Sequence, residues 1–283
     1  MTKEWEYYNH ALIPTTAPHV TPDVSWMKDS KKWRAYADGK HPLFSRWTTD
    51  FDCKEDLGWW YCIKDDQLDL SKVKSKIRYT INHGLKNVDV RLIIPSEYSV
   101  ELTEVNIAAR LGYGEEIDIE EEKEQLIEQF RCYKKDNIEF IGAFLRESGK
   151  LIGYGIYEIY SDWVSQSVIK TNPDYLRTDV NAALVYFAVN RYMDGVFAVK
   201  YISNGAKNIS HDTNFHNYLI KYFGFRKAYC KLHIQYQPIV GIVVNILFPF
   251  RKFLYKFEKN PMVHNVVSIL KMEEIHRISK AGK

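Results

Sequence analysis

Cysteine is scarce and scattered. Cys53, Cys62, Cys132 and Cys230 form no CxxC and no close pair in a chain of 283 residues, so neither a zinc knuckle nor a disulfide framework is indicated. The sequence has no P-loop, no GxSxG, no GxGxxG and no HExxH, which removes the commonest phosphate-binding, serine-hydrolase, dinucleotide and zinc-protease signatures. His211 and His216 stand five apart, a poor spacing for shared ligation on a helix, and no metal is expected. One-signed charge is also lacking: the net value of +3 is too small to argue for nucleic acid. The apolar run Pro238 to Phe250, PIVGIVVNILFPF, has 13 residues, short of the ~18–20 that cross a bilayer as a helix. Met1 to His10 is polar and aromatic rather than signal-like, so the cytoplasm is the default compartment.

What the chain does have is aromatic surface, with 20 Tyr and 7 Trp. Such rings serve core and interface packing, or sugar stacking, because they join a flat apolar body to a polar handle. Charge is unevenly placed. From Arg226 onward there are 11 Lys/Arg against 3 Asp/Glu, giving +8 and leaving −5 for the remainder. A basic terminal segment on a mildly acidic body points to a surface facing phosphates.

Residues 1–57 show little periodicity and are spaced by Pro14, Pro18, Pro22 and Pro42. Their aromatics (Trp5, Tyr7, Tyr8, Trp26, Trp33, Tyr36, Trp47) suggest an extension that wraps the next domain rather than folding alone. A domain is expected over 58–237. Within it, strands are predicted at Trp59–Lys64 and Val88–Ile94, flanking a helix from Ser71 to Asn82 that Gly84 stops. Helices follow at Val100–Leu111 and Ile119–Tyr133; the acidic run Glu115 to Glu124 suits the start of the second. Ile138–Arg146 and Leu151–Tyr160 form a hairpin, and Trp163–Thr171 is a third strand in succession. Asn172–Arg177 reads as a loop, after which Thr178 or Asp179 caps a helix, apolar on several sides, that runs to Met193. Phe197–Ser203 gives another strand.

The closing segment is the clearest. Phe215, Tyr218, Leu219, Tyr222 and Phe223 form one apolar helical stripe. Asp212 or Thr213 can cap its start, and Gly224 ends it. Tyr229 to Gln235 then alternates as a half-buried strand.

Three strands, a buried helix, a strand, a helix closed by Gly224-Phe225 and a final strand resemble the GNAT acyl-CoA N-acyltransferase fold over residues 138 to 236. The preceding strand–helix–strand portion is similar to the larger FemAB-type relatives and to GNAT-like proteins associated with bacterial surface polysaccharide. The resemblance implies an α/β fold with a mixed twisted sheet flanked by helices, an aromatic-rich N-terminal extension and a C-terminal helical segment at 238–283. In such enzymes the acyl-CoA pyrophosphate rests at the start of the helix after the fourth strand, where free N–H groups favour an anion. That assigns cofactor contacts to Lys170, Arg177, Thr178, Asp179 and Val180, although the loop from Thr171 to Thr178 carries no glycine. Ile220 stands where the family's acid tyrosine is usual. A splay between the fourth and fifth strands is the feature to look for.

Glu158, late in the hairpin's second strand, and His211, beside Asp212, are the candidates for deprotonating an attacking amine; an exposed strand carboxylate and a helix cap are the plainer readings of the two. Asn204 and Lys207, in a loop at a strand end, can hold a sugar or phosphate, or simply form a polar turn around Gly205. The activity implied is transfer of an acyl group from acyl-CoA to an amine, an amino sugar of surface-polysaccharide synthesis being the acceptor; aminoacyl-tRNA is the donor in a FemAB-like variant. The alternative is a non-catalytic binding or scaffold protein. Residues 238–257 join an apolar run to Arg251, Lys252 and Lys256, which suits packing on the core or peripheral contact with an anionic membrane. Packing is the expectation, with a final helix over 261–278.

Overall fold

Residues 1 to 57, expected as an extension around the next domain, include three strands and a helix among those described. The computed structural model describes residues 4–209 and 214–281. The chain is α/β. It begins with β1 (Trp5–Tyr8), β2 (Ala11–Pro14), α1 (Ser30–Tyr36), β3 (Phe44–Cys53) and β4 (Trp59–Lys64). Next come α2 (Ser75–Asn87), β5 (Val88–Ile93), α3 (Ser99–Gly112), α4 (Ile119–Arg131), β6 (Ile138–Leu145), β7 (Leu151–Ile159) and β8 (Val164–Thr171). After a short 3-10 helix at Pro173–Thr178 follow α5 (Val180–Tyr192), β9 (Ile202–Ala206), α6 (Asn214–Phe223) and β10 (Arg226–Tyr236). The C-terminal part is helical: α7 (Pro238–Leu247), α8 (Arg251–Leu254) and α9 (Pro261–Ala281).

Contacts divide the chain into two interleaved units, unlike the contiguous division expected at 57/58 and 237/238. The first unit comprises Met1–Cys62, Ala206–Asn214 and Lys227–Lys283; the second comprises Ile63–Gly205 and Phe215–Arg226. Sequence continuity hides this arrangement because β10 pairs with β3, about 185 positions earlier, by an antiparallel ladder that sets His233 against Trp47 and Tyr236 against Phe44.

In the first unit β1 and β2 pair antiparallel, and β2 meets β3 in parallel at Ala11↔Phe44 and Leu12↔Ser45. The aromatics expected to anchor an extension form a core of this unit's own. Trp5, Leu12, Trp26, Trp33 and Ala37 are buried together, with Trp5 edge-on to Trp26 at 5.2 Å and to Trp47 at 6.4 Å. A second cluster joins Phe44, Trp59, Cys230, Leu232, Ile234 and Ile275. Helix α9 is tied to β10 at two residues: Ser279 Oγ accepts from the Leu232 amide at 3.1 Å, His276 Nδ1–H donates to the Leu232 carbonyl at 2.9 Å, and Glu273 accepts from the Tyr236 hydroxyl at 3.0 Å.

In the second unit β5, β6, β7 and β8 form an antiparallel meander, and β9 joins β8 in parallel. Two boundaries differ from expectation. Helix α2 runs through Gly84, because the bare Cα there lets α2 approach α5: an added Cβ would lie 2.7 Å from the Asp179 carbonyl oxygen. The strand expected at Phe197–Ser203 begins only at Ile202.

Candidate functional site

A cavity of about 960 Å³ opens in the first unit, at the upper end of the size range of small-molecule sites. Each wall follows from local periodicity. Strand side chains alternate, so Phe44 and Arg46 of β3 point to one face. Asn265, Ser268, Ile269 and Met272 recur at helical spacing along α9 and close another side. Trp59, at the start of β4, forms part of the floor, while the β1–β2 turn at Tyr8–His10 and the segment Ala206–Ile209 complete the rim. Asn9 and His10 hold left-handed backbone, φ 45° and 62°, which makes the two-residue turn tight enough to present Tyr8 at the edge.

The electrostatics of this cavity are cationic. The Arg46 guanidinium lies 5.3 Å from the centre of the Trp59 ring, and among the described residues it forms no ion pair. Burial pushes its pKa down. Leaving water without a counter-ion costs a cation several kcal/mol, and a cation–π contact returns only about 0.5–2 kcal/mol. Trp59 is 1% exposed, and its indole Nε1 has no hydrogen-bond partner among the described residues. Lys207 donates from Nζ to the Gly58 carbonyl at 2.9 Å. Burial lowers its pKa, and Lys227 and Lys271 lower it further against the opposing pull of Asp56. Two cations in one concave site make it fit to receive an anion. Two imidazoles, His10 and His264, also line the cavity. Thiolate chemistry is disfavoured, since burial pushes both Cys62 and Cys230 up to about 12.

In the second unit β8 and β9 pair with each other at two positions, Val164↔Ile202 and Ser165↔Ser203. Gln166, the first residue past the pairing, is buried and among the described residues its Nε2 has no partner; nor has the hydroxyl of Tyr157, which stands opposite it across β7–β8. Burial pushes the Tyr157 phenol upward, so it stays a neutral donor.

The residues assigned to a phosphate cradle are not gathered in one. Asp179, in left-handed backbone at φ 57°, brings a carboxylate to the start of α5. His83 Nδ1–H donates to it at 2.9 Å while His83 Nε2 accepts from Asn87 at 3.0 Å. Both Ala182 and Ala183 donate their amides to the Asp179 carbonyl. Val180 is fully buried, Arg177 is exposed, and the Thr178 hydroxyl bonds to the Tyr175 carbonyl at 2.7 Å. Lys170 lies over the Tyr113 ring at 5.4 Å, its pKa lowered by burial. Glu158 accepts from the Tyr160 hydroxyl at 2.8 Å, and the Asn204 carbonyl is 3.0 Å from His216 Nε2. Glu158 and Asn204 belong to the second unit; Lys207 belongs to the first, whose cavity it lines. His211, with the capping candidates Asp212 and Thr213, lies outside the described residues.

No protein-family model and no curated protein matches the sequence. Solved structures do match in fold. FemX superposes with a TM-score of 0.56 at 9% identity, over 84% of this chain and 85% of its own. The fold is similar to that of FemX. The C-terminal domain of a lysylphosphatidylglycerol synthetase from Agrobacterium fabrum gives 0.52 at 10% identity, covering 86% and 84%. A conserved protein of unknown function from Bacteroides thetaiotaomicron gives 0.50 at 12%, covering 79% and 78%. At these identities the likeness concerns the fold alone.

Sequence reading missed Arg46 and Trp59. A signal was present: Phe44, Arg46 and Thr48 alternate on one side of a strand, and a cation on such a face calls for a partner. The prolines around it drew attention to an extended arm instead.

Proposed function

We propose that the protein is an N-acyltransferase whose acceptor is an amine carried on a phosphate-bearing sugar held in the Arg46–Trp59–Lys207 cavity. The observation that carries this reading is the partly buried Arg46, which forms no ion pair among the described residues and shares the cavity with Lys207. A phosphate or pyrophosphate supplies Arg46 and Lys207 with charge-assisted bonds, and the exposed ring of Tyr8 at the rim offers a sugar a stacking surface. The fold supports the chemistry by kinship: one neighbour is named for synthesising lysylphosphatidylglycerol. In the step itself the amine nitrogen attacks the carbonyl carbon of an acyl thioester. The C–S bond breaks, and the proton lost from nitrogen is taken up by a base and delivered to the departing thiolate. Amine attack of this kind needs positioning, deprotonation and oxyanion donors, but little else.

Acyl-CoA is the donor in this reading, an aminoacyl ester the second form of it. Strand β8 at Gln166 offers a place for an amide-bearing donor chain. The carboxylate at the start of α5 favours the second reading, a non-catalytic binding protein without CoA. Thermal shift of the full chain with pyrophosphate, a nucleotide-linked amino sugar, CoA and acetyl-CoA separates these. Stabilisation by the sugar nucleotide and by acetyl-CoA, each growing with ligand over Kd, supports the enzyme. A shift with the sugar nucleotide alone supports the binding protein, and none with either phosphate ligand overturns the cavity assignment.

A further inference from the structure

Helical backbone continues past Leu247 through short 3-10 turns and α8 as far as Phe257, giving a 20-residue stretch from Pro238. Its valines and isoleucines do not all pack inward as expected. Val244 and Phe248 are buried against Leu270 of α9. On the opposite side Ile239, Ile242, Ile246, Phe250, Phe253 and Phe257 recur every three or four residues, and all are exposed, Ile239 by 77% and Phe250 by 62%. Repetition at that spacing for the whole length makes one continuous apolar stripe. Single exposed apolar residues are ordinary on a protein surface, but a contiguous row of six large ones is not.

Cations flank the stripe. Lys252, Lys256 and Lys259 are exposed and form no ion pair among the described residues. Arg251 is engaged with Glu274 at 2.9 Å and packs on Phe248 at 4.2 Å, and Glu258 is paired with Lys271 at 2.5 Å. The free charge beside the stripe is thus wholly positive. We infer that this face docks the protein in the plane of an anionic lipid surface, with the stripe in the acyl-chain boundary and the lysines among the headgroups. A protein partner would suit the apolar row equally, but the uncompensated lysines match an anionic bilayer. The helix has only one bare side; the other is committed to α9, so it lies along the surface rather than crossing it.

The inference stands apart from the transferase reading, which concerns the cavity, and can fail without it. Co-sedimentation of the full chain with phosphatidylglycerol-containing and with purely phosphatidylcholine vesicles tests it. Binding is expected to the anionic vesicles at low salt and to weaken at high salt. Lys252→Gln with Lys256→Gln is expected to lower the partition coefficient roughly 25-fold, about fivefold for each cation removed near the surface. Phe250→Ser with Phe253→Ser is expected to abolish it; both side chains are exposed, and an unchanged melting temperature checks that the fold is intact. Equal binding to neutral vesicles, binding insensitive to the two serines, or pelleting that resists alkaline extraction as a spanning helix would overturn the inference. So would a stable dimer that the serine pair dissociates without any vesicle binding by the wild type.

Discussion

Replacing Arg46 with methionine separates a ligand-binding role from a structural one, because the two predict opposite signs. In the empty protein the guanidinium is partly buried, faces Trp59 at 5.3 Å and forms no ion pair among the described residues. Its removal forfeits a cation–π contact of about 0.5–2 kcal/mol. It also relieves the cost of desolvating a cation, and exchange of buried ionic groups for apolar ones of like volume is often neutral or stabilising by about 1–4 kcal/mol. Methionine keeps most of the stem that lines the cavity. The balance for Arg46→Met in the absence of ligand is therefore neutral to about 2 kcal/mol stabilising, and each kcal/mol raises Tm by roughly 2–4 °C in a protein of this size class. With ligand the sign reverses. Hydrogen bonds to charged groups contribute about 1.5–3 kcal/mol each, so Kd for pyrophosphate or a sugar nucleotide should weaken by about one to two orders of magnitude. Calorimetric melting with and without ligand, paired with titration calorimetry, reads both. A variant that melts several degrees lower when empty, or that binds pyrophosphate as the wild type does, refutes the reasoning.

Three further outcomes concern the scaffold. Gly84→Ala forces a Cβ to within 2.7 Å of the Asp179 carbonyl oxygen, so urea denaturation should show a loss of about 1–3 kcal/mol from overpacking. Gln166→Met removes a buried amide whose Nε2 lacks a partner; the empty protein should gain on the order of 1 kcal/mol, and a loss of that size would mean the amide is satisfied. His233 and His276 have pKa values lowered first by burial, with Lys231, Lys280 and Arg277 adding to it and Asp50 and Glu273 opposing. A base with a depressed folded pKa leaves stability flat above its unfolded value, about 6.5, and lowers it as pH falls toward the folded value. Urea midpoints should therefore drop below that pH, and His276→Gln, whose amide can still donate to the Leu232 carbonyl, should flatten the decline.

The order of elements in the second unit was legible because its strands and helices carry their own periodicity. Leu151 to Ile159 is a short, largely apolar run bounded by a glycine turn, and the stripe from Phe215 to Phe223 ends at Gly224. The first unit was not legible, for a physical reason. Its sheet is assembled from segments about 185 residues apart, and no local pattern in Phe44–Cys53 announces that β10 is its partner. Gly84 misled in another way: a glycine that permits close helix packing looks like one that ends a helix. Of the candidate site, Lys207 was found because a polar loop at a strand end is a known place for ligands. Arg46 was not: a cation beside Phe44 and Thr48 on one strand face calls for a partner, but that this face lines a cavity emerges only from the fold. The apolar row from Ile239 to Phe257 was visible as composition. That its face would be left bare was not, because exposure depends on where α9 lies.

Mass spectrometry of the acceptor after incubation tests the central claim most directly. The full chain is mixed with a nucleotide-linked amino sugar and acetyl-CoA, with Arg46→Met and a protein-free mixture alongside. The account predicts an acceptor heavier by one acyl group in the presence of the wild-type chain, strongly diminished for Arg46→Met at limiting acceptor. An unmodified acceptor with this donor and with aminoacyl-tRNA, under conditions where the sugar nucleotide demonstrably binds, would contradict acyl transfer and leave a binding protein on a FemX-like fold.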